Sequence, residues 1–256
     1  MMISTYRSSA ALGLLMVIGG GTAVAQSEQP KVRSVIFSTI KPDRIGDYLS
    51  ATRDFTEAVK KAGSERSYST WLSLSGPREY ALVRYHTKWS EFDSLPAAEP
   101  ALKGIAGQLS ALNARINATI ESSRRVMYVL EHDLSLPLSD APPQPIAQVL
   151  RTWVRPDQLE AYRALVKSDL LPAAKKSGVK AYSVAHVRAG GANQEFNTVS
   201  FLDNWAALDG ESPIVTGLGG QAAYDKFLAK LRPLVTRTEY EMYRHMPNQS
   251  YLAPKK

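Results

Sequence analysis

The chain has 256 residues, more than one average domain of about 100–200 residues and fewer than three, so two modest domains or one large one remain. Hydrophobic residues at 44% and charged residues at 21% describe a globular composition and exclude long-range disorder, a collagen-like repeat and a polytopic membrane protein. The formal charge of +7 is spread along the chain rather than gathered in a block, which gives no indication of nucleic-acid binding, and the absence of cysteine excludes disulfides, thiolate metal sites and cysteine nucleophiles.

The first 25 residues read as an export signal. Arg7 precedes the apolar run Ala10 to Ile18, and small residues then lead to Ala23-Val24-Ala25, an A-x-A cleavage pattern before Gln26. The run is shorter than the roughly 20 residues of a membrane span. The expected product is therefore a periplasmic or secreted protein starting at Gln26, with no membrane span.

From there the chain repeats itself at an offset of 114 to 116 residues. Lys41-Pro42-Asp43 with Tyr48 matches Arg155-Pro156-Asp157 with Tyr162, and Lys60-Lys61-Ala62-Gly63 matches Lys175-Lys176-Ser177-Gly178. Glu79-Tyr80 matches Glu195-Phe196, Trp89 with Asp93 matches Trp205 with Asp209, and Met127-Tyr128 matches Met242-Tyr243. Matches that stay collinear over such a length mean two related units, 26–133 and 146–250. Between them LSLPLSDAPPQP, residues 134–145, has the proline content of an extended linker, and residues 251–256 form a tail.

Each unit carries the same elements in the same order. A strand-like run, Val32–Ile40 or Ile146–Val154, ends at a Pro-Asp pair that opens a helix. Ile45, Tyr48, Leu49, Thr52, Phe55 and Val59 recur at helical spacing until Gly63; Leu159, Tyr162, Leu165 and Val166 do so in the second unit, where Pro172 should break the helix near its end. Two strands joined by a turn follow, Glu65–Leu74 with Tyr80–Thr87 and Lys180–Arg188 with Phe196–Asp203. A second helix is marked by Leu109, Leu112, Ile116 and Ile120, or by Tyr224, Phe227, Leu228, Leu231 and Val235, and a last strand, Arg124–Glu131 or Glu239–His245, completes the unit. Gly217-Leu218-Gly219-Gly220 lacks the preceding strand and the spacing of a phosphate loop and reads as a helix-entry turn.

The order βαββαβ, twice, is that of tandem ferredoxin-like units, each an antiparallel sheet with both helices on one face. The open sheet faces need cover, and each unit is the natural cover for the other. With its (Lys/Arg)-Pro-Asp junctions and its Trp segments ending in Asp93 and Asp209, the chain resembles, over residues 32–250, the dimeric α/β-barrel superfamily, which includes antibiotic-biosynthesis and haem-degrading monooxygenases. DLLPAAKKSG, GGANQEF and NWAALDGESP in the second unit look most like an exported branch of it. The fold expected is α+β, two units packed sheet to sheet as an intramolecular dimeric α/β barrel.

Strand parity selects candidate cavity residues. On the first strands one set is Arg33, Val35, Phe37 and Thr39 with Ala147, Val149, Arg151 and Trp153; the resemblance makes this the inward set, and Arg151 and Trp153 the leading pair. On the third strands Val83, Tyr85, Val199 and Phe201 read as the helix-facing set, which would turn Arg84 and His86 inward. His186 shares a face with Tyr182 and Val184, and His245 with Glu241 and Tyr243; for these strands either face remains open as the inward one. Each of these has a plainer reading: Arg151 in an ion pair with Glu195 or Glu241, Trp153 as packing, the histidines as hydrogen-bonded barrel residues. Glu241 and His245 stand about 13 Å apart on a strand at roughly 3.3 Å per residue, so they share no metal, and the residues imply neither metal nor cofactor.

Two functional classes follow. The first is a small-molecule site in the barrel, of a cofactor-independent monooxygenase-like enzyme or a carrier, that holds a planar or anionic ligand with Arg151, Trp153, His86, Arg84, His186, Tyr243 and His245 as candidates. A haem-binding form is a variant of it, motivated by histidines near the pocket. The second class is a non-catalytic exported module with a filled barrel. Fusion of the halves removes the need for a dimer and is compatible with a homo-oligomer.

Overall fold

The computed structural model describes residues 29–93, 99–137, 144–179 and 181–254. The export signal lies outside them.

The first unit runs β1 (Val32–Ile40), α1 (Ile45–Ala62), β2 (Ser69–Ser73), β3 (Tyr80–His86), α2 (Ala106–Thr119) and β4 (Ile120–Leu130). The second runs β5 (Ile146–Val154), α3 (Leu159–Leu165), α4 (Leu171–Ser177), β6 (Tyr182–Ala189), β7 (Glu195–Leu202), α5 (Pro213–Leu218), α6 (Gln221–Leu231) and β8 (Val235–His245). Helix α1 ends where Gly63, at φ 72°, takes the left-handed cap and returns its N–H to the Lys60 and Val59 carbonyls. Pro172 lacks the N–H that a continuous helix would use, and the chain answers with a π-helical turn, Val166–Leu170, before α4. Gly219 caps α5 and Gly220 opens α6, as expected of a helix-entry turn.

Each unit orders its strands as a ferredoxin-like sheet, β4-β1-β3-β2 and β8-β5-β7-β6, and the two sheets join edge to edge into a closed barrel. Two seams close it: β2 pairs with β8 through Trp71↔His245 and Leu72↔Arg244, and β4 with β6 through Tyr128↔Val187 and Val129↔His186. Closure pairs the edge strands of each half with those of the other. Each sheet carries its helices outside. In the second half Tyr162, Val166, Tyr182, Val184 and Phe196 fill the helix–sheet layer, and in the first Val59, Tyr68, Leu102, Leu109 and Leu112 pack there.

Four expectations change. Ile120 and Val235, assigned to the second helices, are the first residues of β4 and β8; both are β-branched and extend the last strands backward. Strand β2 is shorter than expected because Glu99 anchors the loop before it, accepting from the Ser64 hydroxyl at 3.0 Å and the Glu65 N–H at 2.6 Å. The start of the presumed linker is docked: Leu134 is buried, and the Leu136 N–H donates to the Tyr182 carbonyl, while 138–143 lie outside the described residues. Tyr251 in the tail is buried as well, bridged to Tyr68, with its hydroxyl donating to the Ser64 carbonyl at 2.6 Å. Among the described residues no helix is long and apolar enough to cross a membrane.

Candidate functional site: the barrel cavity

The barrel is hollow rather than filled. A cavity of about 450 Å³ is walled by Val35, Phe37, Trp71, Ala81, Val83, Ala147, Val149, Val199 and Phe201, with Arg33, Tyr128, Arg151, Asn197, Glu241 and Tyr243 as its polar members and Ser69, Tyr85, Gln144 and Ala181 completing its lining. The inward set of β1 and β5 is the one parity selects, Arg33 to Phe37 and Ala147 to Arg151. On β3 and β7 the expected faces are reversed. Val35 lies opposite Val83 and Val149 opposite Val199, and directly paired residues point to the same side, so Val83, Tyr85, Val199 and Phe201 line the cavity. A closed barrel has apolar side chains on both faces, so apolarity does not mark the helix-facing side of these strands.

Arg151 is inward and already engaged. Its Nε and Nη2 donate to Glu195 at 2.8 and 3.1 Å, and its Nη1 lies 3.5 Å from Glu241 and 3.7 Å from Glu239. Burial works to lower its pKa, and the bonds and charges of Glu195 and Glu241 outweigh that and hold it above the ordinary arginine value. Trp153 is not part of the cavity wall; the Arg151 and Arg237 guanidinium groups each lie 4.8 Å from its ring centroid, near the end of the strand. Tyr243 lines the cavity and donates its hydroxyl to Glu241 at 2.9 Å. Burial first, and the Glu241 charge beside it, push the Tyr243 phenol well above its ordinary value. Burial likewise pushes the repeat-related Tyr128 up to about 12, so both phenols are proton-bearing donors at neutral pH.

The polar residue that sequence reasoning passed over is Arg33. It is 3% exposed, its Nη2 donates to Asn197 Oδ1 at 2.5 Å, its guanidinium lies 4.9 Å from the Tyr128 ring centre, and its Nε is buried without a partner. Among the described residues it makes no ion pair. The available signal was its place in the inward set; its partner, 164 positions away, carried none.

Four candidates stand elsewhere. Arg84 faces the helices, with its guanidinium 5.4 Å from the Tyr68 ring and its pKa lowered by burial. His86 also lies outside the cavity: Nε2 is 3.1 Å from Ser34 Oγ, Nδ1 is 3.2 Å from Glu91, and burial lowers its pKa against the opposing pull of Glu91. His245 sits at the β2–β8 seam, its ring 5.0 Å from that of Trp71 and its Nε2 3.0 Å from Ser250 Oγ; burial lowers its pKa. His186, on the helix side of β6, is paired at 2.8 Å with Glu131, which also accepts from Arg163 at 2.9 and 3.1 Å.

The His186 ring at 2.8 Å, and then the Arg163 hydrogen bonds, lower the Glu131 pKa against the opposing effect of burial. A carboxylate with a depressed folded pKa contributes stability in full above its unfolded value and loses it as pH falls through the folded one. Glu131→Gln should therefore lower Tm at neutral pH, and the gap to the wild type should close below about pH 4, which thermal melts across pH would read.

A haem needs an axial donor, and the histidines proposed for that role do not line the cavity. The residues present do not fit a histidine-ligated haem there.

No protein-family model and no curated protein matches the chain. Solved structures do. A protein assigned as a monooxygenase from Lactobacillus acidophilus NCFM superposes with a TM-score of 0.59 at 10% identity, over 85% of this chain and 94% of that one. Another assigned as a monooxygenase, from Fusobacterium nucleatum subsp. nucleatum ATCC 25586, gives 0.58 at 13% identity, over 89% and 98%. An anthrone oxidase-like protein gives 0.54 at 15% identity, over 86% and 92%. With its eight-stranded closed barrel and helices outside both sheets, this chain has the dimeric α/β-barrel fold of monooxygenase-like proteins, carried on a single polypeptide.

Proposed function

We propose that the protein is an exported small-molecule binder that holds a planar, largely apolar ligand in the barrel cavity and acts on it as a cofactor-independent, monooxygenase-like enzyme. The observation that carries this reading is an open, apolar-walled cavity with a few convergent polar groups, in a fold where side chains could have filled the space. Arg151 is bonded to Glu195, so apolar contact with Trp71, Phe201 and the valines supplies the grip. Glu241, with Tyr243 bonded to it, is the cavity carboxylate placed to accept a proton from an acidic ligand. Export is supported by the Arg7 to Ala25 pattern; N-terminal sequencing of the mature protein should begin at Gln26.

Binding is tested with the neutral planar probe N-phenyl-1-naphthylamine. The wild type should enhance its fluorescence, and Val199→Trp, which fills the cavity, should weaken binding by about tenfold or more. Equal binding by both proteins would refute the cavity site. For turnover, oxygen uptake with anthrone, suggested by the anthrone oxidase-like neighbour, should fall in Glu241→Gln. Binding without uptake would favour a carrier.

A further inference from the structure

We infer that Arg33 and Asn197 form an oxyanion seat in the cavity, so that the ligand is an arene bearing one carboxylate, sulfonate or similar group. The inference rests on the cavity site proposed above. A guanidinium offers five N–H donors and stays charged. Arg33 uses one on Asn197, and its Nε is buried without a partner. A buried cation without a carboxylate beside it opposes folding, and an incoming oxyanion that takes two parallel N–H bonds supplies what is missing.

The repeat shows that the barrel does not need this pair. At the offset relating the halves, Arg33 corresponds to Ala147 and Asn197 to Ala81, and both alanines line the same cavity. Two alanines satisfy the same backbone positions on one side where an arginine and its amide partner stand on the other. The cavity's other cation, Arg151, is neutralised by Glu195, and Glu241 accepts from Tyr243. A ligand anion is therefore drawn to Arg33, with its aromatic body directed to Trp71 and Phe201, themselves 5.6 Å apart between ring centres.

Two probes sharing one aromatic frame test this: 1-anilinonaphthalene-8-sulfonate, which carries the anion, and N-phenyl-1-naphthylamine, which lacks it. Arg33→Met should weaken the sulfonate probe by about tenfold or more and leave the neutral probe within about twofold, as expected for loss of a charge-assisted bond. Without ligand, Arg33→Met should have a Tm equal to or above the wild type, since an unpaired buried charge is removed. A lower Tm would mean a structural role and overturn the inference. Unchanged sulfonate binding in Arg33→Met, with binding lost in Val199→Trp, would overturn the seat and leave the cavity site standing. Failure of Val199→Trp to weaken either probe would overturn both. Near-ultraviolet circular dichroism verifies that each variant keeps its packing, and Arg33→Gln repeats the measurement should Met perturb it.

Discussion

Arg151→Ala is expected to destabilise the protein by about 3–5 kcal/mol, because it leaves a buried carboxylate without its counter-charge. Glu195 is 3% exposed, and both of its side-chain oxygens accept from Arg151. The double variant Arg151→Met with Glu195→Leu should recover most of that loss, since replacing a buried ion pair by apolar residues of similar size is often neutral. Guanidinium unfolding of the two variants reads the difference. If Arg151→Ala unfolds at the wild-type midpoint, the pair contributes nothing and Arg151 returns as the ligand's partner. The contrast with Arg33 is instructive: two inward arginines, one saturated and one with a buried Nε left over, are expected to respond to removal with opposite signs.

Gly190→Ala should cost about 2–4 kcal/mol and weaken the barrel at one seam, through a left-handed backbone position combined with overpacking. Gly190 has φ 81°, and a Cβ there would lie 1.9 Å from the Arg125 carbonyl oxygen on β4, a backbone atom that cannot turn aside. It follows Ala189, the residue of β6 paired with Met127 where the β4–β6 register shifts. Gly76→Ala is the control: φ is similar at 71°, but nothing lies within 4 Å, so only the backbone penalty of about 1–2 kcal/mol remains. Thermal melts of the two variants should differ accordingly, and Gly190→Ala should also lose probe binding as the seam that shapes the cavity loosens. Equal melting temperatures would show that the seam yields without cost.

Much of this architecture is legible from local pattern. The repeat, the Pro-Asp junctions, Gly63 as a cap and the disruption at Pro172 each act within a few residues, so neighbouring side chains suffice to announce them. The inward faces of β1 and β5, and with them Arg151, also follow from period-two alternation once the fold is recognised. For the site the legible share is smaller. Arg151 and Tyr243 reach the cavity, Trp153 stands off its wall beside Arg151 and Arg237, and Arg84, His86, His186 and His245 belong to the outside or the seam. Strand parity turns Arg84 and His86 inward and leaves the faces of His186 and His245 open, whereas in the folded barrel each is bonded to or packed against neighbouring side chains.

The amino-acid sequence by itself determined two βαββαβ units and their need for mutual cover, because periodicity and capping are local and the open sheet faces are apolar. Tertiary structure alone decided which face of β3 and β7 looks inward, since hydrogen-bond register, not hydrophobicity, sets the side when both faces are buried. It also decided that the barrel keeps a cavity and that Arg33 meets Asn197 there. Strand pairing around a closed barrel brings those two together across 164 positions, and no local pattern encodes such a contact.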